Sequence, residues 1–243
     1  MEVQKLDQIK ADLAALELSL DEDSYQVGRW QTWLDAVDAS GTRNIAAMGD
    51  DITRVSNKLH GRHQSFQLPF RPIFAAEIVL VLVGCASLIS EYPFLKLAGV
   101  GMLAMGLQPL IKVLTGLWLG VSYAYVYFLN FEPRFKMNYG SYMSLPGKRR
   151  VILHLSGALG TPLAMLAGYI SFRDYQLVAN GLMILFILVA LMQVGAFAAV
   201  WLGYPRVAGY RLENLTSPAK AAAELRRHQS RQVQAHEKTD DGY

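Results

Sequence analysis

Hydrophobic residues recur at alternating steps of three and four through the first sixty residues of the chain. One frame runs from Leu6 to Val37, and a second runs from Ile45 to Leu59 after a Ser40-Gly41-Thr42 break. Side chains at these steps lie on one face of a helix, and that face must pack against another helix to leave water. Residues 1–65 are therefore predicted to form a helical, coiled-coil-like arm outside the membrane.

Two arrangements would bury the apolar face of this arm. The arm either folds back as an intramolecular helical hairpin, which short helix connections favour, or docks on a partner or on another copy of the chain. The acidic run Asp21–Asp23 is expected to divide the first frame into two helices. The predicted partner-binding residues of the docking arrangement are Leu6, Ile9, Leu13, Leu16, Leu20, Trp30 and Leu34.

Beyond residue 66 the periodic pattern gives way to continuous apolar runs. The runs cover residues 72–90, 94–130, 151–172 and 178–204. Each is long enough to cross about 30 Å of hydrocarbon as a helix. The predicted fold is an all-α, polytopic membrane protein with four transmembrane helices within residues 66–204. A polar tail, partly disordered, is predicted for residues 205–243.

The second apolar run is too long for one simple span. A continuous helix over residues 94–130 would exceed the bilayer by roughly 20 Å. Either the helix breaks near Pro109, or it ends near Trp118 and an interfacial segment with several tyrosines follows. Both alternatives keep four spans.

Lys and Arg residues flank the apolar runs mainly on one side. The segment 131–150 contains five, the stretch 52–71 contains four and the tail contains seven, whereas the opposite turns contain only Lys96 and Arg173. Because cationic flanks stay in the cytoplasm, the sequence predicts an integral membrane protein with both termini cytoplasmic.

The cations of segment 131–150 are also candidates for contact with anionic lipid head groups. Such attraction contributes about 1 kcal/mol per Lys or Arg near the surface. The predicted head-group residues are Arg134, Lys136, Lys148, Arg149, Arg150 and His154. The net charge of +3 gives no reason to expect a nucleic-acid partner.

One acid and one base interrupt the first two spans. Glu77 lies about five residues from the cytoplasmic end of the first, and Lys112 lies at a similar depth in the second. An ion pair would offset the cost of placing each charge in lipid. The pair is interpreted as structural, with proton or substrate coupling as the functional alternative.

Small residues, many of them at four-residue spacing, are predicted to let the spans pack closely. They are Gly116, Gly120, Gly157, Gly160, Ala164, Gly168, Gly195, Ala199 and Gly203.

Signatures of the common catalytic sites are missing from the sequence. It contains no HExxH, Walker A, GxSxG or CxxC motif, and Cys85 is its only cysteine. No catalytic residue, metal or cofactor is predicted.

Residues 119–166 combine an apolar helix, the tripeptide PRF, a basic proline turn and the run RRVILHLSGALGTPLA. This order resembles the region around the second core helix of site-2-type intramembrane metalloproteases. The zinc ligands of that family have no counterpart in LWLGVSYAYVYF. The resemblance therefore implies an inactive relative, and no catalytic residue is carried over.

The expected function is that of a non-catalytic subunit, scaffold or assembly factor of a membrane protein complex. Its expected partners are other membrane proteins or further copies of the chain, together with anionic lipids. The alternative is a small transporter or lipid-handling protein that uses Glu77, Lys112 and His154.

Overall fold

A computed structural model describes residues 2–40, 47–62, 66–129 and 132–201 of the chain. These residues are mostly helical, and four of their helices are long and apolar enough to cross a membrane, as expected for an integral membrane protein. The described elements, in chain order, are α1 (Glu2–Asp21), α2 (Arg29–Ser40), α3 (Gly49–Gly61), β1 (Gln67–Pro69), α4 (Phe70–Ile89), α5 (Pro93–Trp118), β2 (Tyr123–Leu129), β3 (Glu132–Met137), α6 (Tyr139–Met143), α7 (Gly147–Ala158), α8 (Gly160–Ser171) and α9 (Gln176–Trp201).

The chain divides into two compact units. Among the described residues, the N-terminal unit comprises residues up to 67 together with 137–150, and the spanning unit comprises 68–136 and 151–201. Segment 137–150, predicted to be a loop, therefore completes the N-terminal unit.

The apolar face of the N-terminal helices is buried within the chain itself. The Trp33 indole N–H donates a hydrogen bond to the Ile9 carbonyl, 2.9 Å away, and joins α2 to α1. The buried side chains of this core are Ile9, Leu13, Leu16, Leu20, Trp30, Trp33, Leu34, Val37, Met48, Ile52, Val55 and Leu59. Val27 was predicted to lie on the same face but is 84% exposed, because α1 ends at Asp21 and Val27 falls in the turn before α2.

Ion pairs join α1 to α3 along the edge of this core. Glu17 contacts Arg54 at 2.9 Å and Lys58 at 2.8 Å, and Asp21 contacts Lys58 at 3.0 Å. Residues further along α1 pair with residues further along α3, so these two helices run parallel. Helix α2 connects them and runs in the opposite direction. The Arg54 and Lys58 hydrogen bonds hold the pKa of Glu17 at about 2.

The short helix α6 packs on α3. The Gly140 amide donates to the Thr53 hydroxyl at 3.0 Å, and a Cβ at position 140 would overlap the Gly49 backbone. The Tyr139 ring lies 6.1 Å from the Trp30 ring. Segment 131–150 is thus more than a basic loop, since its apolar Tyr and Met side chains complete a core.

In the spanning unit, α4 and α5 form an antiparallel pair with close backbone contact. A Cβ at Gly99 would lie 2.7 Å from the Gly84 carbonyl oxygen. Helix α5 continues through Pro109 and ends at Trp118, as in the second of the two alternatives for residues 94–130.

Helices α7 and α8 run antiparallel to α5. A Cβ at Gly116 would contact Leu153, one at Gly157 would contact Lys112, and one at Gly168 would contact Val100. The predicted third span over 151–172 is therefore built from α8 and the second half of α7. Helix α9 follows a short turn and packs on α8.

Three short strands add a small sheet that the prediction of an all-α fold did not include. They form one sheet in the order β1-β2-β3. Because β1 directly precedes α4 and β2 follows α5, the sheet lies at the end of the helix pair where α4 begins. Residues 123–128 alternate Tyr with Ala, Val or Phe, and this β-prone composition suits a strand better than a helix.

We expect Gly99→Ala to lower the thermal stability of the chain in detergent, because its methyl group would overlap the Gly84 carbonyl. Gly181→Ala is the matched control, since nothing lies within 4 Å of a Cβ there. The control should be neutral or stabilising by up to about 1 kcal/mol through helix propensity. Equal melting temperatures for the two variants would contradict the α4–α5 contact.

We expect Glu17→Gln to destabilise the N-terminal unit at pH 7 by about 0.5–1 kcal/mol. The pKa of Glu17 is depressed from 4.5 to about 2 in the folded chain, so its contribution is complete above pH 5 and is lost as the pH falls toward 2. The difference between wild type and variant should therefore shrink at low pH.

Urea unfolding in detergent measures this difference. Replacing Trp118 and Trp201 with Phe leaves only the Trp30 and Trp33 fluorescence, which reports the N-terminal unit. Asp12→Asn serves as control, because Asp12 is exposed and its oxygen can still accept from Gln8. A pH-independent effect of Glu17→Gln would rule out the proposed ion-pair contribution.

Candidate functional site

An aromatic cluster connects the sheet to the start of α4. The rings of Phe70 and Tyr123 stack at 5.2 Å, Phe74 stacks on Phe70 at 5.3 Å, and Phe135 meets Phe70 edge-on at 6.0 Å. The Tyr123 side chain passes over Gly116, and its hydroxyl donates a hydrogen bond to the Lys112 carbonyl at 3.4 Å. Burial raises the pKa of the Tyr123 phenol, so this group acts as a neutral structural donor.

The predicted head-group residues divide into exposed and buried groups. Arg134 and Arg149 are exposed. Lys136 is only 6% exposed, and burial lowers the pKa of its ammonium group to about 8. The Lys148 side chain lies outside the described residues.

Arg150 serves packing within the N-terminal unit. It is 2% exposed, its Nε donates to the Leu145 carbonyl at 3.0 Å, and its guanidinium carbon lies 5.9 Å from the centre of the Tyr142 ring. Burial therefore contradicts the prediction of head-group contact for Arg150, as it does for Lys136.

Glu77 lies on α4 and faces α5, whereas Lys112 lies on α5 and faces α7. Glu77 is buried on α4, and its Oε1 lies 3.5 Å from where a Cβ at Gly106 would be. The stem of Lys112 instead packs on Gly157 of α7. Six residues, or about 9 Å of helix rise, separate Gly106 from Lys112. The structure therefore does not bring the two charges together.

His154 lies half-buried on α7, one turn before Gly157. Because Glu77 and Lys112 face different helices, the three residues of the predicted transporter site are not gathered in one place.

Most of the predicted small residues pack as expected. Gly116, Gly157, Gly160, Ala164 and Gly168 are buried against neighbouring helices. Gly120 instead adopts a φ of +89° after the end of α5, so its role is to form a turn.

The last three predicted packing residues are Gly195, Ala199 and Gly203. Nothing lies within 4 Å of a Cβ at Gly195, so Gly195 packs on no neighbour among the described residues. The Ala199 side chain and Gly203 fall outside the described residues.

The predicted partner-binding residues are unavailable for docking. All except the half-buried Leu6 have at most 4% exposure. The opposite face of α1 is exposed and carries a short apolar row, with Leu18 57% exposed. The row consists of Ala11, Ala14, Ala15 and Leu18.

Sequence reasoning missed a polar clasp at the end of the spanning unit where α4 finishes. The Lys96 ammonium donates to the Ser171 carbonyl at 2.8 Å, and the Ser171 hydroxyl donates to the Leu88 carbonyl at 2.5 Å. This clasp joins α4, α5 and α8. Lys96 stood out as an isolated cation, but no local pattern links it to Ser171.

Gly84, Gly99 and Gly106 were also missed. They line the α4–α5 contact, and the seven-residue spacing of Gly99 and Gly106 could have revealed them. Within the described ranges, no three His, Cys, Asp or Glu side chains are close enough to hold a metal ion.

Comparison with protein families, curated proteins and solved structures finds no significant match to this chain. The structure also removes the basis for the metalloprotease resemblance. That resemblance required a helix through LWLGVSYAYVYF, whereas α5 ends at Trp118 and Tyr123–Leu129 form β2.

We expect Glu77→Gln and Lys112→Met to have additive effects on the free energy of unfolding, within about 0.5 kcal/mol, because the side chains face different helices. Chemical unfolding of both single variants and the double variant in detergent measures the coupling. The Glu17–Arg54 pair is a positive control, since these side chains are in contact. A coupling above about 1 kcal/mol between Glu77 and Lys112 would contradict their separation and indicate an ion pair.

Proposed function

We propose that the chain is a non-catalytic integral membrane subunit that holds a partner protein at the membrane as a scaffold or assembly factor. The observation that carries this proposal is the exposed apolar row on the outer face of α1. The inner face of the same helix is already packed, so the row is not needed for folding. An exposed apolar face on a folded helix is typical of a surface that receives another helix.

The expected occupant is an amphipathic helix of another protein, with Lys or Arg beside its apolar stripe. The exposed acids beside the α1 row are Asp7, Asp12 and Glu22, against one exposed base, Lys10, and this balance favours a basic partner through charge complementarity. Asp21 is already paired with Lys58.

Charge distribution also supports a location for this surface. Four membrane crossings return a chain to the side from which it entered, and the cation-rich flanks favour the cytoplasm for that side. We therefore propose a cytoplasmic location for the N-terminal unit. Exposed Arg149, and exposed Arg134 in the spanning unit, are the proposed residues for anionic lipid contact.

Site-specific photocrosslinking tests the docking role. A photoreactive amino acid at Ala15 should give a discrete adduct with another protein in cells. Leu18→Glu should abolish the adduct, because it places a charge in the apolar row. Val27→Glu is the matched control and should leave the adduct intact, since Val27 is exposed in the turn before α2. Absence of a protein adduct, or an adduct insensitive to Leu18→Glu, would overturn the proposal.

A further inference from the structure

Glu77 belongs to the buried face of α4. The buried residues of this helix are Glu77, Val81 and Gly84, at steps of four and three residues, and this face packs on α5. Glu77 is 8% exposed and lies about 4 Å along the axis from the midpoint of α4. Its carboxyl group is therefore inside the hydrocarbon layer and faces a neighbouring helix rather than lipid.

Gly106 of α5 provides the space for this carboxyl group. A Cβ at position 106 would lie 3.5 Å from Glu77 Oε1 and 2.8 Å from Val81 Cγ2, so a larger residue would narrow the crevice. Phe74 and Val81, about one turn before and after Glu77 on the same face, belong to an apolar cluster that includes Leu103 of α5. The carboxyl group thus lies among apolar side chains, in a crevice that a glycine leaves open.

No hydrogen bond or ion pair to the Glu77 carboxyl group forms among the described residues. The unbonded side-chain atoms that are fully enclosed in this part of the chain belong to other residues, so the carboxyl oxygens retain some accessible surface. A carboxylate without a partner is costly in hydrocarbon, whereas a neutral carboxylic acid costs much less.

The elements packed against α4 bring no described cation to this crevice. Lys96 of α5 donates to the Ser171 carbonyl, and the stem of Lys112 packs on Gly157. Arg71 is exposed near the start of α4, about 9 Å of helix rise from the acid. The other titratable side chains on α4, α5, α8 and β2 are Cys85, Tyr123, Tyr125, Tyr127 and Tyr169. The site therefore favours an uncharged acid.

We propose that Glu77 is a proton-binding site inside the membrane, and that the α4–α5 contact is tightest when the proton is bound. Release of the proton leaves a negative charge in the apolar crevice, which favours movement of the carboxylate toward water and loosens the contact between the two helices. Proton binding thus controls packing within the spanning unit. This inference goes beyond the docking role, because it requires neither α1 nor a partner protein.

Labelling of the full chain in membranes with dicyclohexylcarbodiimide tests the site. The O–H of a protonated carboxyl group adds across one C=N bond of this apolar reagent, the proton moves to nitrogen, and the O-acylisourea rearranges to a stable N-acylurea. Mass spectrometry should find the adduct on Glu77 at pH 7, where an exposed carboxyl group is about 99% ionised. The adduct should decrease about fivefold or more by pH 9.

Glu91 is the matched control, since it is exposed just after the end of α4 and should remain unlabelled at pH 7. Absence of label on Glu77, equal labelling of Glu77 and Glu91, or labelling of Glu77 that does not decrease with rising pH would overturn the inference. Protection of Glu77 by sodium ions at constant pH would indicate a metal-cation site and would overturn it too.

Thermal unfolding in detergent tests the effect on packing. Gln has the shape of the protonated acid but cannot ionise, so Glu77→Gln should melt with wild type near pH 5 and above wild type near pH 9. Glu17→Gln should show the opposite sign, because its effect disappears at low pH. A constant difference between wild type and Glu77→Gln from pH 5 to pH 9 would reject the inference.

Discussion

Close backbone packing around α5 is the constraint on which the spanning unit depends. In lipid, apolar side chains gain little by leaving their solvent, so helices associate through van der Waals contact and short polar bonds. The glycines at 84 and 99 bring α4 against one side of α5, and those at 157 and 160 bring α7 and α8 against another. The Lys96 clasp joins three of these helices near one end.

The N-terminal unit depends on a different force. Its helices bury Leu, Ile, Val and Trp side chains away from water, which is the main stabilising contribution in a soluble domain. The ion pairs of Glu17 and Asp21 lie at the edge of this core and favour one register between α1 and α3. One chain thus contains two kinds of core.

The sequence predicted the features of the fold that depend on the local spacing or length of apolar segments. The three-and-four steps predicted the buried positions of the arm, and apolar length predicted four spans. Features formed between distant residues were not predictable in this way: Glu77 and Lys112 matched in depth but face different helices, and nothing local placed Tyr139 beside Trp30. The strand at residues 123–129 was not predicted, because an apolar run with many aromatic residues is typical of both an interfacial segment and a strand.

The parallel arrangement of α1 and α3 has a consequence for the geometry of the N-terminal unit. Three successive helices that run up, down and up leave the beginning of α1 and the end of α3 at opposite ends of the bundle. A helix the length of α1 measures about 30 Å. The start of the chain is therefore displaced by about that distance from the point where the chain leaves α3 toward β1. A group attached at the N-terminus would lie well away from that exit.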